Sequence, residues 1–332
     1  MIYLERLNIN KVPWQELDQY WDRSVFQTQG WVNFIAEAQN AESVVAEVKE
    51  GEQVLGYFTG LITKKLGIRI LGSPFDGWTT TYMGLNLLPG VDLQAVLEAL
   101  HKFAFKELRC RVVQISERRF TDEDLKNTSY SIINYRNLEI DLTNEEEVIF
   151  SKMTSAKRRG IRKATNLGVV AEEASPDGFV EEYYAQLIEV FAKQLLRPTY
   201  EIGRVKTLIK HVYPTGNLLL LRARSPDGQS IASAIFPGFN DMMIFWGGAS
   251  WRKYQKYRPN EFLMWHAIKY WKARGIKTFN LGGWADYKIQ YGGEKINGVI
   301  LLKSKPGFLV TQHQNAKKLH KFYRRILGRI SH

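Results

Sequence analysis

The sequence predicts an α/β (α+β) protein made of two domains of the same type, and three observations carry that expectation. The chain has 332 residues, more than one hydrophobic core of ordinary size usually takes up. The order strand pair, strand, helix, strand can be read twice along it. Charge also changes sign between the halves: residues 1–150 hold 15 Lys+Arg against 22 Asp+Glu, a net −7, whereas residues 151–332 hold 31 against 12, a net +19.

In the first half, "VLGYFTGLITKKLGIRIL" (54–71) alternates as strands do, with breaks expected at Gly60 and Gly67. The glycine- and proline-marked "GSPFDGWTTTYMG" follows, then the helical "DLQAVLEALHKFAFKEL" and the strand "RVVQIS". In the second half, "NLLLLRARSPDGQSIASAIFPGF" predicts a hairpin turning at Pro226-Asp227-Gly228. Next come the strand "MMIFWGGAS", the helix "EFLMWHAIKYWKARG" and the strand "TFNLGG". That helix carries Phe262, Leu263, His266, Ala267, Tyr270 and Trp271 as one apolar stripe, and Gly275 is placed to stop it.

Between the halves lies "LEIDLTNEEEVIFSKMTSAKRRGIRKATNLG". Thr143 and Glu146 have the spacing of a capping box, and Gly168 suits the end of the helical stretch. Lys157, Arg158, Arg159, Arg162 and Lys163 put five cations into seven residues, with Arg158/Arg162 and Arg159/Lys163 four apart on shared helix faces. Such a cluster repels itself unless an anion meets it, so a phosphate-binding role is expected. Gly160, inside the run, weakens a helix by roughly 1 kcal/mol relative to alanine, and a bend is expected there. The boundaries drawn are 1–142, 143–312 and a tail, 313–332.

Composition removes several classes. Hydrophobic residues make up 45% of the chain and aromatic ones 13%, enough for packed cores. A single cysteine, Cys110, excludes an intramolecular disulfide framework. The six histidines lack metal-ligand spacing, so no metal is expected, and no serine sits in a nucleophile elbow. The opening "MIYLERLNINKVPW" is not a signal peptide, and no apolar run reaches roughly 18 residues. A cytoplasmic location is expected. His266 is expected to be a core residue and His211 to lie at a helix end.

Three stretches, "AKRRGIRKATNLGV", "GGASWRKYQKYRPNEFLMWHAIKYWKARGIKTFNLGG" and "YKIQYGGE", together resemble the Fem-type branch of the GNAT N-acyltransferase superfamily. The likeness runs from about "VFQTQGWVNF" to about residue 305. It implies two tandem GNAT-like domains, each a mixed twisted sheet flanked by helices. It also implies transfer of an acyl or aminoacyl group from an activated donor to an amine of a cell-envelope or polysaccharide precursor, a lipid-linked or nucleotide-linked sugar among them. Members include peptidoglycan-bridge aminoacyltransferases and acetyltransferase-like relatives found beside exopolysaccharide genes. No tightly bound cofactor is implied; the co-substrate is acyl-CoA or aminoacyl-tRNA.

The resemblance also assigns residues. An aromatic-Lys pair followed by an aromatic-Gly pair lines the family's donor site, and that pattern falls on Tyr287-Lys288 and Tyr291-Gly292. Lys288, flanked by the rings of Tyr287 and Tyr291, is expected to meet the carbonyl oxygen or a phosphate of the donor, because attack by an amine builds negative charge on that oxygen. The strand-to-helix junction supplies Trp246, Gly247, Gly248, Arg258 and Asn260 as donor-binding candidates. The superfamily's Gln/Arg-x-x-Gly-x-Gly/Ala signature is represented there by Gln255-Lys256-Tyr257-Arg258-Pro259-Asn260, with both small residues replaced. Glycine lets backbone approach phosphate, so this departure points toward a large donor such as aminoacyl-tRNA.

In the first half, "GSPFDGW" is similar to the family's Gly-Pro-acid turn and makes Asp76 a candidate to hold or deprotonate the attacking amine. Trp31 matches an early family tryptophan and is expected in the core, and Ile35 stands where bridge-forming members place a lysine. The tail reads as a basic amphipathic helix that could rest on an anionic leaflet, which would make the protein peripheral at the inner face of the plasma membrane. The alternative function is a non-catalytic, basic nucleic-acid-binding protein on a GNAT-like scaffold, since a polyanion suits the +19 half equally.

Overall fold

The computed structural model describes every residue except Leu66, Asp76, Arg119, Gln194 and 306–332, together with the side chain of Lys65. The amphipathic reading of residues 313–332 therefore lies outside the described residues. The chain forms two compact units, Met1–Arg136 with the segment from Asn297, and Asn137–Ile296. The first unit thus takes in a late strand that the sequence assigned to the second half. Val299 and Leu301 of Glu294–Ser304 are buried in the N-terminal core, and residues 299–304 pair antiparallel with Val112–Glu117.

In the first unit, Ile2–Arg6, Glu42–Glu50, Gln53–Lys65 and Ile68–Ser73 are successive antiparallel neighbours, and Ile68–Ser73 then runs parallel to Val112–Glu117. Helix Leu93–Lys102 starts on an Asp92 side chain that accepts from Gln94 and Ala95 amides, and buries Val96, Leu97, Ala99 and Leu100. Gly60 does not break its strand. A Cβ there would stand 2.8 Å from the Phe58 ring and 3.0 Å from the Gly72 carbonyl oxygen, so the glycine serves close packing inside a continuous strand. The turn falls at Gly67 (φ +76°), as expected.

In the second unit, the hairpin Leu218–Arg224/Ser230–Phe239 turns through Ser225–Gly228, with the Gly228 amide donating to the Ser225 carbonyl at 2.9 Å. The strand expected over 242–250 is divided in two. Met242–Ile244 lies parallel to Thr278–Gly283, pairing Met242 with Thr278 and Ile244 with Asn280. The last link is the Phe245 amide donating to the Asn280 carbonyl at 2.9 Å. Gly247–Ser250 pairs with Ser230–Phe239 instead, Ile235 facing Gly247 and Ala232 facing Ser250. Two parallel strands therefore share hydrogen bonds at one end and part at the other. Residues 137–141 flank Thr278–Gly283 on its far side.

Helix Pro259–Lys272 follows that parting. Proline at its first turn loses no intrahelical hydrogen bond, and Leu263, Met264, Ala267, Ile268 and Trp271 face the core. His266 and Tyr270 of the expected stripe are only partly buried. Burial lowers the His266 pKa, which keeps the ring neutral near pH 7. The capping box at Thr143 does not form. Its amide and hydroxyl both donate to the Asp141 carboxylate (2.9 and 2.6 Å), and the helix begins later, at Glu146. That helix ends at Lys152, and a second one, Ser155–Asn166, carries the cations without interruption through Gly160. Gly160 faces the Glu261 side chain, where a Cβ would lie 3.4 Å from Cγ; the glycine allows two helices to approach rather than bending one.

Candidate active site

The parting of the strands positions a cavity of about 400 Å³ in the second unit. Phe245 and Gly248 contribute from the strand side, and Arg258, Pro259, Asn260, Glu261, Leu263 and Met264 from the helix start. The remaining wall includes Leu187, Val190 and Phe191, spaced along one face of helix Phe179–Ala192, with Tyr287 and Tyr291 closing it. Asn260 is oriented by donating to the Ser250 hydroxyl at 3.0 Å.

Beside it runs a wider groove of about 730 Å³, lined by Lys157, Arg159, Arg162 and Lys163 of the cationic helix and by Arg258. Four of the five expected phosphate-binding residues thus share one wall, and Arg258 joins them from a distant part of the chain. Arg158 is not among the lining residues. Lys157, Arg258 and Glu261 line both spaces. Lys157 is tied by an ion pair to Glu261 at 3.3 Å, and its ammonium lies 4.7 Å from the centre of the Tyr291 ring. Arg162 sits over Phe150 at 5.3 Å.

Lys288 stands on the one-turn helix Asp286–Ile289. Its ammonium donates to the Gly283 carbonyl at 3.3 Å and lies 5.8 Å from the centre of the Phe245 ring and 5.9 Å from that of Tyr287, two residues that line the cavity. Among the described residues no carboxylate comes within ion-pair distance of it. Burial without a counter-charge lowers its pKa from the usual lysine value to about 8. The rings around Lys288 are therefore Phe245 and Tyr287, and the expected partner Tyr291 attends Lys157 instead. The reason is spacing: residues 288 and 291 are separated by the exit from the short helix, and Gly292 turns the chain with φ +80°.

Other candidates are placed differently from the expectation. A Cβ on Gly292 would stand 2.7 Å from the Lys152 carbonyl carbon, so this glycine permits backbone contact with the end of helix Glu146–Lys152. Trp246 is 8% exposed, packs on Tyr200 at 5.0 Å between ring centres, and does not line the cavity. Gly247 lies against the Tyr183 hydroxyl, 2.3 Å from where a Cβ would be; that hydroxyl is hydrogen-bonded to Tyr200 at 2.7 Å. Gly248 does reach the cavity. Asp76 is outside the described residues. Trp31 is fully buried and donates to the Thr80 hydroxyl at 3.0 Å, as a core residue would, and Ile35 is buried too. Among the described residues, no group of three or more His, Cys, Asp or Glu side chains is arranged to hold a metal, and no helix is long and apolar enough to cross a membrane.

Sequence reasoning missed Phe245, Glu261 and the Leu187/Val190/Phe191 wall. The last had a signal, since the three residues recur at helical spacing. Glu261 had none beyond being an acid in the first turn of a helix.

Comparison with known proteins agrees with this geometry. Residues 151–291 match the family described as acetyltransferase (GNAT) domain. The chain is similar in structure to FemX, at 12% identity and a TM-score of 0.72, over 89% of this chain and 96% of FemX. It is also similar to a tandem GNAT protein from the clavulanic acid biosynthesis pathway (11% identity, TM-score 0.54, 93% of this chain and 100% of that one). A third likeness is to the C-terminal domain of a putative lysylphosphatidylglycerol synthetase from Agrobacterium fabrum (11%, 0.54, 82% and 87%). No curated protein matches the sequence. The repeat read from the residues is thus a pair of GNAT-like domains, and a non-catalytic binder gives way to an enzyme. Residues 151–291 thus carry an acetyltransferase (GNAT) domain, and the chain as a whole has a fold similar to those of FemX and the tandem GNAT protein.

Proposed function

We propose that the protein moves an acyl or aminoacyl group from a phosphate-bearing donor, acyl-CoA or aminoacyl-tRNA, to an amine on a cell-envelope precursor, and that the donor binds in the second unit. The observation that carries this reading is Lys288: a half-buried ammonium with no carboxylate partner among the described residues. It does not itself line the cavity but lies 5.8 and 5.9 Å from the centres of two rings that do, Phe245 and Tyr287. In the reaction, the amine nitrogen bonds to the acyl carbon, and the bond from that carbon to the carrier's oxygen or sulfur breaks. The leaving atom keeps the electron pair, and the nitrogen's proton passes to it or to solvent. Negative charge gathers on the carbonyl oxygen meanwhile. A cation fixed in a partly dry site stabilises that charge more than water does, because little reorganisation is needed.

The groove cations Arg159, Arg162, Lys163 and Arg258 would hold donor phosphates, with Lys157 held in place by Glu261. An envelope acceptor is supported by the likeness to FemX and to a putative lysylphosphatidylglycerol synthetase. Asp76 remains a candidate for receiving the amine proton. The test is a product assay with a panel of thioester and aminoacyl-tRNA donors and amine acceptors, read as a mass increase on the acceptor. Loss of product in a folded Lys288→Ala variant is the expected result. Equal rates for wild type and variant would overturn the assignment.

A further inference from the structure

Within the donor site proposed above, on which this inference rests, the cavity and the groove differ in chemistry. We infer that the group transferred is an uncharged, apolar acyl chain carried as a thioester, and that the cavity of about 400 Å³ is its specificity pocket. Leu187, Val190, Phe191, Phe245, Leu263 and Met264 supply hydrocarbon and ring surface to its lining. Glu261 is the one carboxylate among the described lining residues, and it is committed to Lys157 at 3.3 Å, with side-chain exposures of 16% and 12%.

An aminoacyl group brings an α-ammonium into this space. It would have to take Glu261 from Lys157, leaving that lysine poorly paired beside Tyr291, or be buried without an anion, which is costly. An aliphatic chain makes no such demand, and each methylene it buries contributes about 0.8 kcal/mol. The volume lies in the range of small-molecule sites. Continuity supports the same ligand. Lys157 and Arg258 border both spaces, so a phosphate-bearing carrier in the cationic groove can deliver its acyl end past them into the apolar cavity. The opposite arrangement, phosphates among Leu187, Phe191 and Met264, would strip them of solvent without compensation. Exposed apolar residues continue just beyond Phe191 in the chain, where Leu195 is 61% exposed.

The experiment compares equilibrium binding of acetyl-CoA, octanoyl-CoA and β-alanyl-CoA to the full chain. Octanoyl-CoA is expected to bind about 30-fold more tightly than acetyl-CoA, as two or three fully buried methylenes would give, and β-alanyl-CoA no more tightly than acetyl-CoA. Val190→Trp fills the cavity from a partly exposed wall and is expected to reduce the octanoyl-to-acetyl ratio to roughly threefold or less; Val190→Phe is the milder alternative if the first variant melts early. Equal affinity for all three thioesters, or an unchanged ratio in the folded variant, overturns the apolar pocket while leaving the donor site standing. Preference for β-alanyl-CoA does the same. Absence of thioester binding combined with Lys288-dependent transfer from aminoacyl-tRNA overturns this inference alone, and absence of any transfer defeats both readings.

Discussion

Replacing Lys288 by methionine separates its role in folding from its role in chemistry. Methionine keeps an unbranched side chain of similar length but removes the charge, so packing against Phe245 and Tyr287 survives while desolvation of the ammonium does not occur. The lysine titrates near 8 in the folded chain against an ordinary 10.5. At about 1.4 kcal/mol per pH unit, that shift corresponds to at most about 3.5 kcal/mol, and partial solvent access reduces it to about 1–2 kcal/mol. The sign follows from the direction. A folded-state lysine pKa below the unfolded one means that the folded state disfavours the proton, so wild type carries the full penalty below pH 8. The penalty is relieved as pH rises from about 8 toward 10.5. Lys288→Met is therefore expected to be more stable than wild type by about 1–2 kcal/mol at pH 7, with the difference shrinking by pH 9.5, and to transfer at a much reduced but measurable rate. Urea unfolding at the two pH values measures it. A variant less stable than wild type at pH 7 would mean that the ammonium is well solvated or held by a favourable partner, and the argument for a charge kept in readiness would fail.

Other consequences can be measured in the same preparations. The ratio of wild-type to Lys288→Met transfer rates, which cancels titration of the acceptor amine, is expected to fall as pH rises through about 8, because the oxygen-stabilising form is the protonated one; a ratio that rises there would make Lys288 a base. Arg159→Ala and Lys163→Ala remove exposed groove charges and are expected to weaken binding of a phosphate-bearing donor roughly fivefold each at low salt, with the loss narrowing at high salt and stability within about 0.5 kcal/mol of wild type. Titration of donor at two ionic strengths checks both. Gly292→Ala places a Cβ 2.7 Å from the Lys152 carbonyl carbon at φ +80°, and denaturant unfolding is expected to show a loss of about 2 kcal/mol or more.

How much of this was legible in the sequence varied with the range of the interactions involved. The repeated order of elements, the turn at Asp227-Gly228 and the helix stop at Gly275 rest on local chemistry and periodicity, and they stand as read. The sharing of one groove wall by Arg159, Arg162 and Lys163 follows from helical spacing, whereas the presence of Lys157 there and the absence of Arg158 do not. In the sequence the strand 242–250 reads as continuous, because nothing in "MMIFWGGAS" marks the residue where hydrogen bonding changes partner. That choice depends on Asn280 and Ile235, far away in sequence. The rings around Lys288 were misassigned for a related reason. Adjacent numbering suggested Tyr291, whereas a single helical turn followed by Gly292 carries Tyr291 to Lys157 and leaves Phe245, 43 positions earlier, beside the ammonium. Gly60 shows the converse: a residue read as a breaker is retained because two strands and a ring leave no room for a Cβ.

Under the proposed reading, the start of helix Pro259–Lys272 would let a donor site do without the glycines that the GNAT signature calls for. Arg258 adopts the left-handed conformation itself, at φ +55°, and so makes the turn that glycine would otherwise make. Pro259 has no N–H to offer an anion. Glu261, in the first turn, already places a negative charge near the positive end of the helix. Backbone capture of phosphate is therefore reduced at this terminus. In the proposed site, side chains would take its place, namely Arg258 at the turn and Lys157, paired with Glu261, from the cationic helix, with Arg159, Arg162 and Lys163 along the same groove. Recognition by mobile side chains is less exacting about phosphate geometry than recognition by a fixed backbone cradle, and it depends more strongly on salt. If donor phosphates bind there as proposed, such a site would trade a close fit to one pyrophosphate for tolerance of the carrier, and selectivity would fall to the acyl end. That end is where the apolar cavity lies.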